Sequence, residues 1–484
     1  MADPFDLTLD PYSATPLYRQ LADHVSQLIA AGSIQSGDRL PPTRDLASQL
    51  GLNRTTVSAA YSALEDAGLI RGHVGRGSFV AGRPAAAVAS ESAPATPRVG
   101  SNIEISFANS RPPADAFPVD TFRRVAREVI DSTEAAAILQ LGSPLGYPPL
   151  RRHLLRIALD AGIARPNDDI LITNGCQQAL DLIARVFVMP RTPVAIEDPV
   201  YHGLLRVFAR ADAALLPVRL DNAGIDLKAL EETLDRHNPK LLIVTPSFQN
   251  PTGATLGLDR RKRIVALAQR YGVMLVENDI YTDLRYRGSA LPTLKELDES
   301  GNTVLLRSYS KVLFPGLRVG WIIAPRAVIS RLSDTKQISD LHSDQLSQAV
   351  LLRFTESGEL RKHLSTTHSA GERRLAAAVN ACQSYLPSGS TFTKPDGGMN
   401  LWVELPPPLT ADALLSRTQE RGVDFMPGRN FSATGSHARG LRISFGGLPP
   451  DQITRGIQLL GECARRELAA ASAASTYEPT TVLV

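Results

Sequence analysis

Near the start of the chain the apolar positions keep a helical period. Leu17, Leu21, Val25, Leu28 and Ile29 form one stripe and predict a helix over 16–31. Pro41-Pro42-Thr43 opens a second helix, over 43–50, which Gly51 stops. Val57, Ala60, Tyr61 and Leu64 line a third over 53–67, with Asn53 as N-cap and Gly68 as the stop. Residues 69–80 then read as two short strands around a glycine-rich turn.

Beyond residue 100 the pattern changes. Short apolar runs over 170–173, 194–197, 241–245, 274–277 and 304–306 read as strands, and helical stretches such as 177–187 and 258–271 lie between them. That alternation predicts a parallel sheet covered by helices. After about residue 330 a long helical region leads into strand-like runs over 397–405 and 440–447, which predict a smaller α+β lobe. Residues 81–100 are dominated by Ala, Pro, Ser and Gly and have neither period, so they read as a flexible linker. The expected organisation is a small module over 14–80, a linker over 81–100, a large module over 101–470 and a disordered tail over 471–484.

Composition narrows the classes. Hydrophobic residues make up 43% and charged residues 21% of the 484, enough apolar content to build a core without metals or disulfides. A net charge of +3 excludes a wholly basic nucleic-acid coat and an acidic solvating chain, and leaves a local DNA-binding surface open. Cys176, Cys382 and Cys463 lie far apart and outside any Cys-x-x-Cys, so neither a disulfide scaffold nor a metal site is expected. No apolar run approaches the ~18 residues of a membrane span. The acidic start has no apolar core of a secretory signal. A cytoplasmic protein without a membrane partner is the expectation.

The third predicted helix begins Asn53-Arg54-Thr55-Thr56, with Ser58 close behind. Small hydroxyl side chains at a helix start let its free amides approach phosphate, while Arg54 can reach a base edge. Arg44 opens the preceding helix, Arg71 and Arg76 flank the turn, and Gly72, Gly75 and Gly77 let the hairpin lie close to DNA. Charge adds little, since residues 1–80 carry six Arg and no Lys against eight acidic residues. The run 36–80 resembles the GntR-type winged helix-turn-helix domain. It carries Gly37-x-x-Leu40-Pro41, Arg54-Thr55-Thr56, Tyr61-x-x-Leu64-x-x-x-Gly68 and Gly75-x-Gly77-x-Phe79-Val80. The resemblance implies DNA contacts at Arg44, Arg54, Thr55 and Thr56 and along the wing from His73 to Gly77. Ser58, Tyr61, Arg71 and Arg76 join that set. Ser58 stands where GntR members carry a basic residue, so base preference does not transfer.

In the large module four short motifs follow predicted strands: Asn250-Pro251-Thr252-Gly253, Asn278-Asp279-Ile280-Tyr281, Ser308-Tyr309-Ser310-Lys311 and Gly316-Leu317-Arg318-Val319-Gly320. Open α/β sheets bind ligands at such ends. Together these residues suit pyridoxal 5′-phosphate. That cofactor needs a lysine for a Schiff base, a carboxylate for its pyridine nitrogen, donors to its phenolic oxygen and a cradle for its phosphate. Lys311 and Asp279 fill the first two roles, and Asn250 and Tyr281 the third. Ser308, Ser310, Arg318 and the amides of Gly175, Cys176 and Gln177 suit the phosphate, while Tyr201 can stack on the ring.

From about residue 103 to 466 the chain resembles class I/II aminotransferases of PLP fold type I. Those enzymes place the lysine in Ser-x-Ser/Ala-Lys, the aspartate in Asp-x-Tyr and the asparagine in Asn-Pro-Thr-Gly. They also place a carboxylate-binding arginine in a late Leu-Arg-Ile-Ser-Phe strand, here Arg442. Many carry a tyrosine that reaches the neighbouring subunit's phosphate, and the matching stretch here, Leu141-Gly142-Ser143-Pro144, has none. The whole chain is similar to the MocR-type GntR regulators. The resemblance implies a head-to-tail homodimer that binds an operator in double-stranded DNA. It also implies a large domain that senses an amino compound, or PLP itself, through aldimine chemistry at Lys311. The alternative is an active aminotransferase whose DNA-binding domain is secondary.

Overall fold

The computed structural model describes residues 9, 16–30, 34, 37–66, 69–73, 77–80 and 103–475. The chain divides into two compact units between residues 90 and 91. The linker expected over 81–100 lies outside the described residues, as does 476–484 of the expected tail. Residues 471–475 were assigned to that tail, but they prolong the last helix, Pro450–Ser475.

The first unit contains α1 (Leu17–Ala30), α2 (Thr43–Gln49), α3 (Arg54–Asp66) and a hairpin of β1 (Ile70–His73) and β2 (Gly77–Val80). The helical stripes converge, since Leu21, Val25, Leu46, Val57, Ala60, Leu64, Ile70 and Val80 share one core. Asn53 caps α3 by accepting the amide of Thr55 at 3.1 Å. Tyr61, expected among the DNA contacts, belongs instead to this core. It is 5% exposed and its hydroxyl donates to the Pro41 carbonyl at 2.7 Å, because it lies on the same helical face as Val57 and Leu64.

The second unit is built on an eight-stranded sheet. Its strands are β3 (Asp168–Thr173), β4 (Pro193–Asp198), β5 (Ala214–Asp221), β6 (Gly224–Ile225), β7 (Leu241–Val244), β8 (Met274–Asn278), β9 (Thr303–Ser308) and β10 (Gly320–Pro325), in the spatial order β3-β10-β9-β8-β7-β4-β5-β6. The five predicted strands are all present, and their central pairings are parallel. The sheet is mixed rather than wholly parallel, because β10 inserts antiparallel to both β9 and β3. That reversal has a consequence for ligand binding: β10 begins where β3 and β9 end, so Arg318 and Val319 lead into it at the same edge as Lys311. A four-stranded sheet forms the smaller lobe, from β11 (Thr391–Phe392), β12 (Asn400–Glu404), β13 (Met426–Pro427) and β14 (Gly440–Ser444). One face of it packs on the helices Glu359–Tyr385 and Pro450–Ser475 through a separate apolar core.

Candidate functional site

The carboxyl ends of β3, β4, β7, β8 and β9 open onto one cavity. Its lining includes Cys176, Gln177, Tyr201, Asn250, Asn278, Tyr281, Ser308, Ser310, Lys311 and Arg318, with Ser110 and Arg111 from the segment that enters the unit. Residues spread over more than two hundred positions of sequence are thereby brought together.

The Lys311 ammonium donates to the Ser110 carbonyl at 2.5 Å and lies 5.7 Å from the centre of the Tyr281 ring. Behind the lining, the carboxylate of Asp279 is buried. Its Oδ2 accepts from Arg307 Nε at 3.0 Å and Nη2 at 2.7 Å, while its Oδ1 is buried without a partner. Burial works against the charge on Arg307, yet Asp279 and Asp283 together hold its pKa above the ordinary arginine value. Arg307 also fixes its neighbour, because its carbonyl accepts the Cys176 thiol at 3.4 Å. Burial pushes that thiol up to about 12, so Cys176 is a neutral packing group rather than a nucleophile.

Toward the smaller lobe, Asn250 links two groups. Its Nδ2 donates to the Tyr281 hydroxyl at 3.4 Å, and its Oδ1 accepts from Arg442 Nη1 at 3.0 Å. Arg442 also donates to the Ala108 carbonyl and lies over the Phe431 ring, with its guanidinium carbon 5.0 Å from the ring centre. It is 2% exposed, its Nε has no partner, and among the described residues no carboxylate pairs with it. Burial lowers its pKa to about 10, which leaves it charged at neutral pH.

At the other end of the cavity, Gly175 caps the helix α4 (Cys176–Phe187) with φ 77°. A Cβ there would stand 2.5 Å from Arg318 Nη2, so glycine is what allows the guanidinium to lie against the helix start. Arg318 donates to the Asn174 carbonyl at 3.1 Å. Ser308 Oγ donates to the Val319 carbonyl at 2.9 Å, lies 2.8 Å from Ser310 Oγ and accepts the Ser310 amide. Tyr201 donates to Gln177 Oε1 at 3.3 Å.

Several members of this constellation escaped the sequence reading. Ser110 and Ala108 act through carbonyls, which no side-chain motif reveals. Arg307 left a signal, being a charge inside the apolar run of β9 one residue before Ser308. His202 follows Tyr201, with ring centroids 4.9 Å apart, and its Nδ1 is buried without a partner. Burial, assisted by the charges of Arg442, Arg206 and Lys311, lowers its pKa to about 4, so it is neutral.

In the first unit Arg44, Arg54, Thr55 and Ser58 are exposed and Thr56 is half-buried, around the start of α3 and the adjacent α2. Gly77 has φ 100°, and a Cβ there would stand 3.1 Å from Arg39 Nε, which adds Arg39 to the wing side. Arg76 and the side chains of Arg71 and His73 lie outside what the structure describes.

Residues 105–460 match the family model of class I and II aminotransferases, and residues 17–80 match that of the bacterial regulatory proteins of the gntR family. The uncharacterized HTH-type transcriptional regulator YdcR of Escherichia coli is 30% identical over 93% of this chain and 99% of its own. The probable rhizopine catabolism regulatory protein MocR of Rhizobium meliloti is 28% identical over 94% of this chain and 95% of its own. The chain belongs to the MocR-type gntR regulators. A MocR-type chain joins a gntR DNA-binding domain to an aminotransferase-like domain, and the second half of that description is visible in the fold. The multiple substrate aminotransferase from Thermococcus profundus superimposes with a TM-score of 0.76 at 32% identity, over 80% of this chain and 98% of that one. Aminotransferases of this class depend on pyridoxal 5′-phosphate. The residues of this MocR-type chain fit it: a lysine amine in the cavity, a buried carboxylate oxygen without a partner behind it, and a glycine-capped helix start beside an arginine. No helix among the described residues is long and apolar enough to cross a membrane.

Proposed function

We propose that this chain is a cytoplasmic transcription regulator that binds operator DNA through its winged helix. Its aminotransferase-like domain binds pyridoxal 5′-phosphate and an amino compound with a carboxylate end. The observation that carries the reading is Arg442, a buried guanidinium without a carboxylate partner among the described residues, linked through Asn250 to Tyr281 in the Lys311 cavity. A buried cation left without an anion is costly to keep, and a ligand carboxylate is the group that relieves it.

When bound, the cofactor supplies an aldehyde carbon open to amines and a ring that accepts electron density. Lys311 provides the amine. Asp279 Oδ1 is the acceptor reserved for a ring N–H, and Asn250 and Tyr281 serve the phenolic oxygen. Tyr201 covers the ring. Ser308, Ser310, Arg318 and the amides of Gly175, Cys176 and Gln177 hold the phosphate, and Arg442 takes the effector's carboxylate.

Lys311 and Arg442 donate to the carbonyls of Ser110 and Ala108, in the segment where the chain arrives from the linker. A ligand that engages either cation competes with those carbonyls. Occupancy then changes what holds that segment, the differential interaction that a ligand switch requires. The side chains of Leu139, Leu141, Ile338 and Leu341, 72%, 75%, 90% and 59% exposed, support burial against a second copy. In a head-to-tail homodimer the two winged helices would read two half-sites.

The test is a titration of the cofactor-loaded protein with amino acids, followed by absorbance and by mobility shift on the DNA upstream of its own gene. An amino acid that changes both signals without steady keto-acid release is the expected outcome. Keto acid accumulating over many turnovers, with no DNA response, overturns the reading in favour of an active aminotransferase.

A further inference from the structure

In the smaller lobe, Leu401 and Val403 of β12 and Leu441 and Ile443 of β14 turn into the apolar core. Side chains alternate along a strand, so Asn400, Trp402, Arg442 and Ser444 share the opposite face. The register sets Asn400 against Ser444 and Trp402 against Arg442, which places Asn400 two residue pairs along the ladder from Arg442, in the next pair on that face. The backbone of Asn400 packs on the Asn250-Pro251-Thr252-Gly253 turn: a Cβ on Gly253 would stand 2.6 Å from its carbonyl oxygen. The side-chain amide of Asn400 is 1% exposed, and neither its Oδ1 nor its Nδ2 has a hydrogen-bond partner. Buried amides are nearly always bonded, and an amide on an Arg-bearing face with both ends unmet is aimed at something the chain does not itself provide.

We propose that Asn400 is a specificity-determining residue for the effector, and that the effector is an α-amino acid whose side chain bears a hydroxyl or a carboxamide. The inference rests on the reading that Arg442 takes the effector's carboxylate. A carboxylate only accepts hydrogen bonds, so it satisfies the Asn400 donor and leaves Oδ1 bare. Hydroxyl and carboxamide groups both donate and accept, so either one completes the amide. An aliphatic or aromatic side chain in the same place buries the amide unpaired, and a site built for a hydrogen bond rejects such analogues strongly.

The experiment uses the full chain loaded with pyridoxal 5′-phosphate. Affinities are measured by calorimetry and by intrinsic tryptophan fluorescence for two matched pairs, L-threonine with L-valine and L-glutamine with L-methionine. In the wild type the hydrogen-bonding member of at least one pair should bind about tenfold or more tightly than its apolar match. Asn400→Leu should erase that preference and leave the apolar member bound at least as well. Asn400→Ala, which adds no bulk to the sheet, should give the same loss of preference should leucine disturb folding. Equal affinities within both pairs in the wild type, or a preference that survives both substitutions, overturns the proposal. Arg442→Gln separates the two readings: it should weaken every amino acid alike. Binding untouched by Arg442→Gln, or no binding of any amino acid to the wild type, overturns the carboxylate reading and this inference with it.

Discussion

Asp279 meets Arg307 through one oxygen only. Both guanidinium hydrogen bonds, at 3.0 and 2.7 Å, fall on Oδ2, and Oδ1 is left buried and unbonded. The pair thus engages one carboxylate oxygen and leaves the other as a buried acceptor without a partner. Asp279→Asn keeps the shape and removes the charge, so Arg307 loses its counter-ion. Urea unfolding of the cofactor-free variant should show a loss of about 2 kcal/mol. A loss below a few tenths would mean that Arg307 does not depend on Asp279.

Lys311 is the primary amine in the cavity that faces the cofactor fit. Lys311→Ala should abolish the near-visible absorbance of lysine-bound pyridoxal 5′-phosphate. Retained absorbance after dialysis would place the reactive amine elsewhere.

The winged helix separates surface from core within one helix. Arg54→Ala should weaken binding to the specific operator by about 1–3 kcal/mol and relax discrimination at the base it reads. An equal loss on random DNA would mean phosphate contact instead. Tyr61→Phe removes only the hydroxyl that donates to Pro41, so it should cost about 1 kcal/mol of stability and leave the specificity ratio intact. A changed ratio with unchanged stability would return Tyr61 to the DNA face. Affinity of the wild type should fall steeply as salt rises.

His202 gives a pH dependence with a definite sign. Its pKa is lowered from 6.5 to about 4 by burial first and then by nearby cations. Between those values the unfolded chain binds the proton that the folded chain refuses. The stability that a neutral His202 contributes is therefore present above pH 6.5 and is lost as pH falls toward 4. Thermal melts from pH 7.5 down to 5 should fall more steeply for the wild type than for His202→Gln. Parallel curves would show that His202 is not held neutral.

Much of the plan was legible in the sequence because it rests on local rules. Helical stripes located the three helices of the first unit, and apolar runs located the five strands that bear the site loops, to within a residue or two. The strand-end motifs placed Lys311, Asn250, Tyr281, Ser308, Ser310 and Arg318 around one cavity, since open sheets expose those ends together. The antiparallel β10 was missed because an apolar strand carries no mark of its direction. Tyr61 belongs to the core because the apolar stripe it shares with Val57 and Leu64 sets its direction, whereas its place in a DNA-contact motif does not.

The sequence by itself determined the two modules, their order and the residue types that gather at the strand ends, because residue type and spacing along the chain encode those directly. Only the tertiary structure decided which oxygen of Asp279 stays free, which carbonyls hold Lys311 and Arg442, and that Asn400 is buried with an unmet amide beside Arg442. Those facts depend on backbone atoms and on side chains far apart in the chain, and the partners of a buried polar group are fixed by packing in three dimensions rather than by its neighbours in sequence.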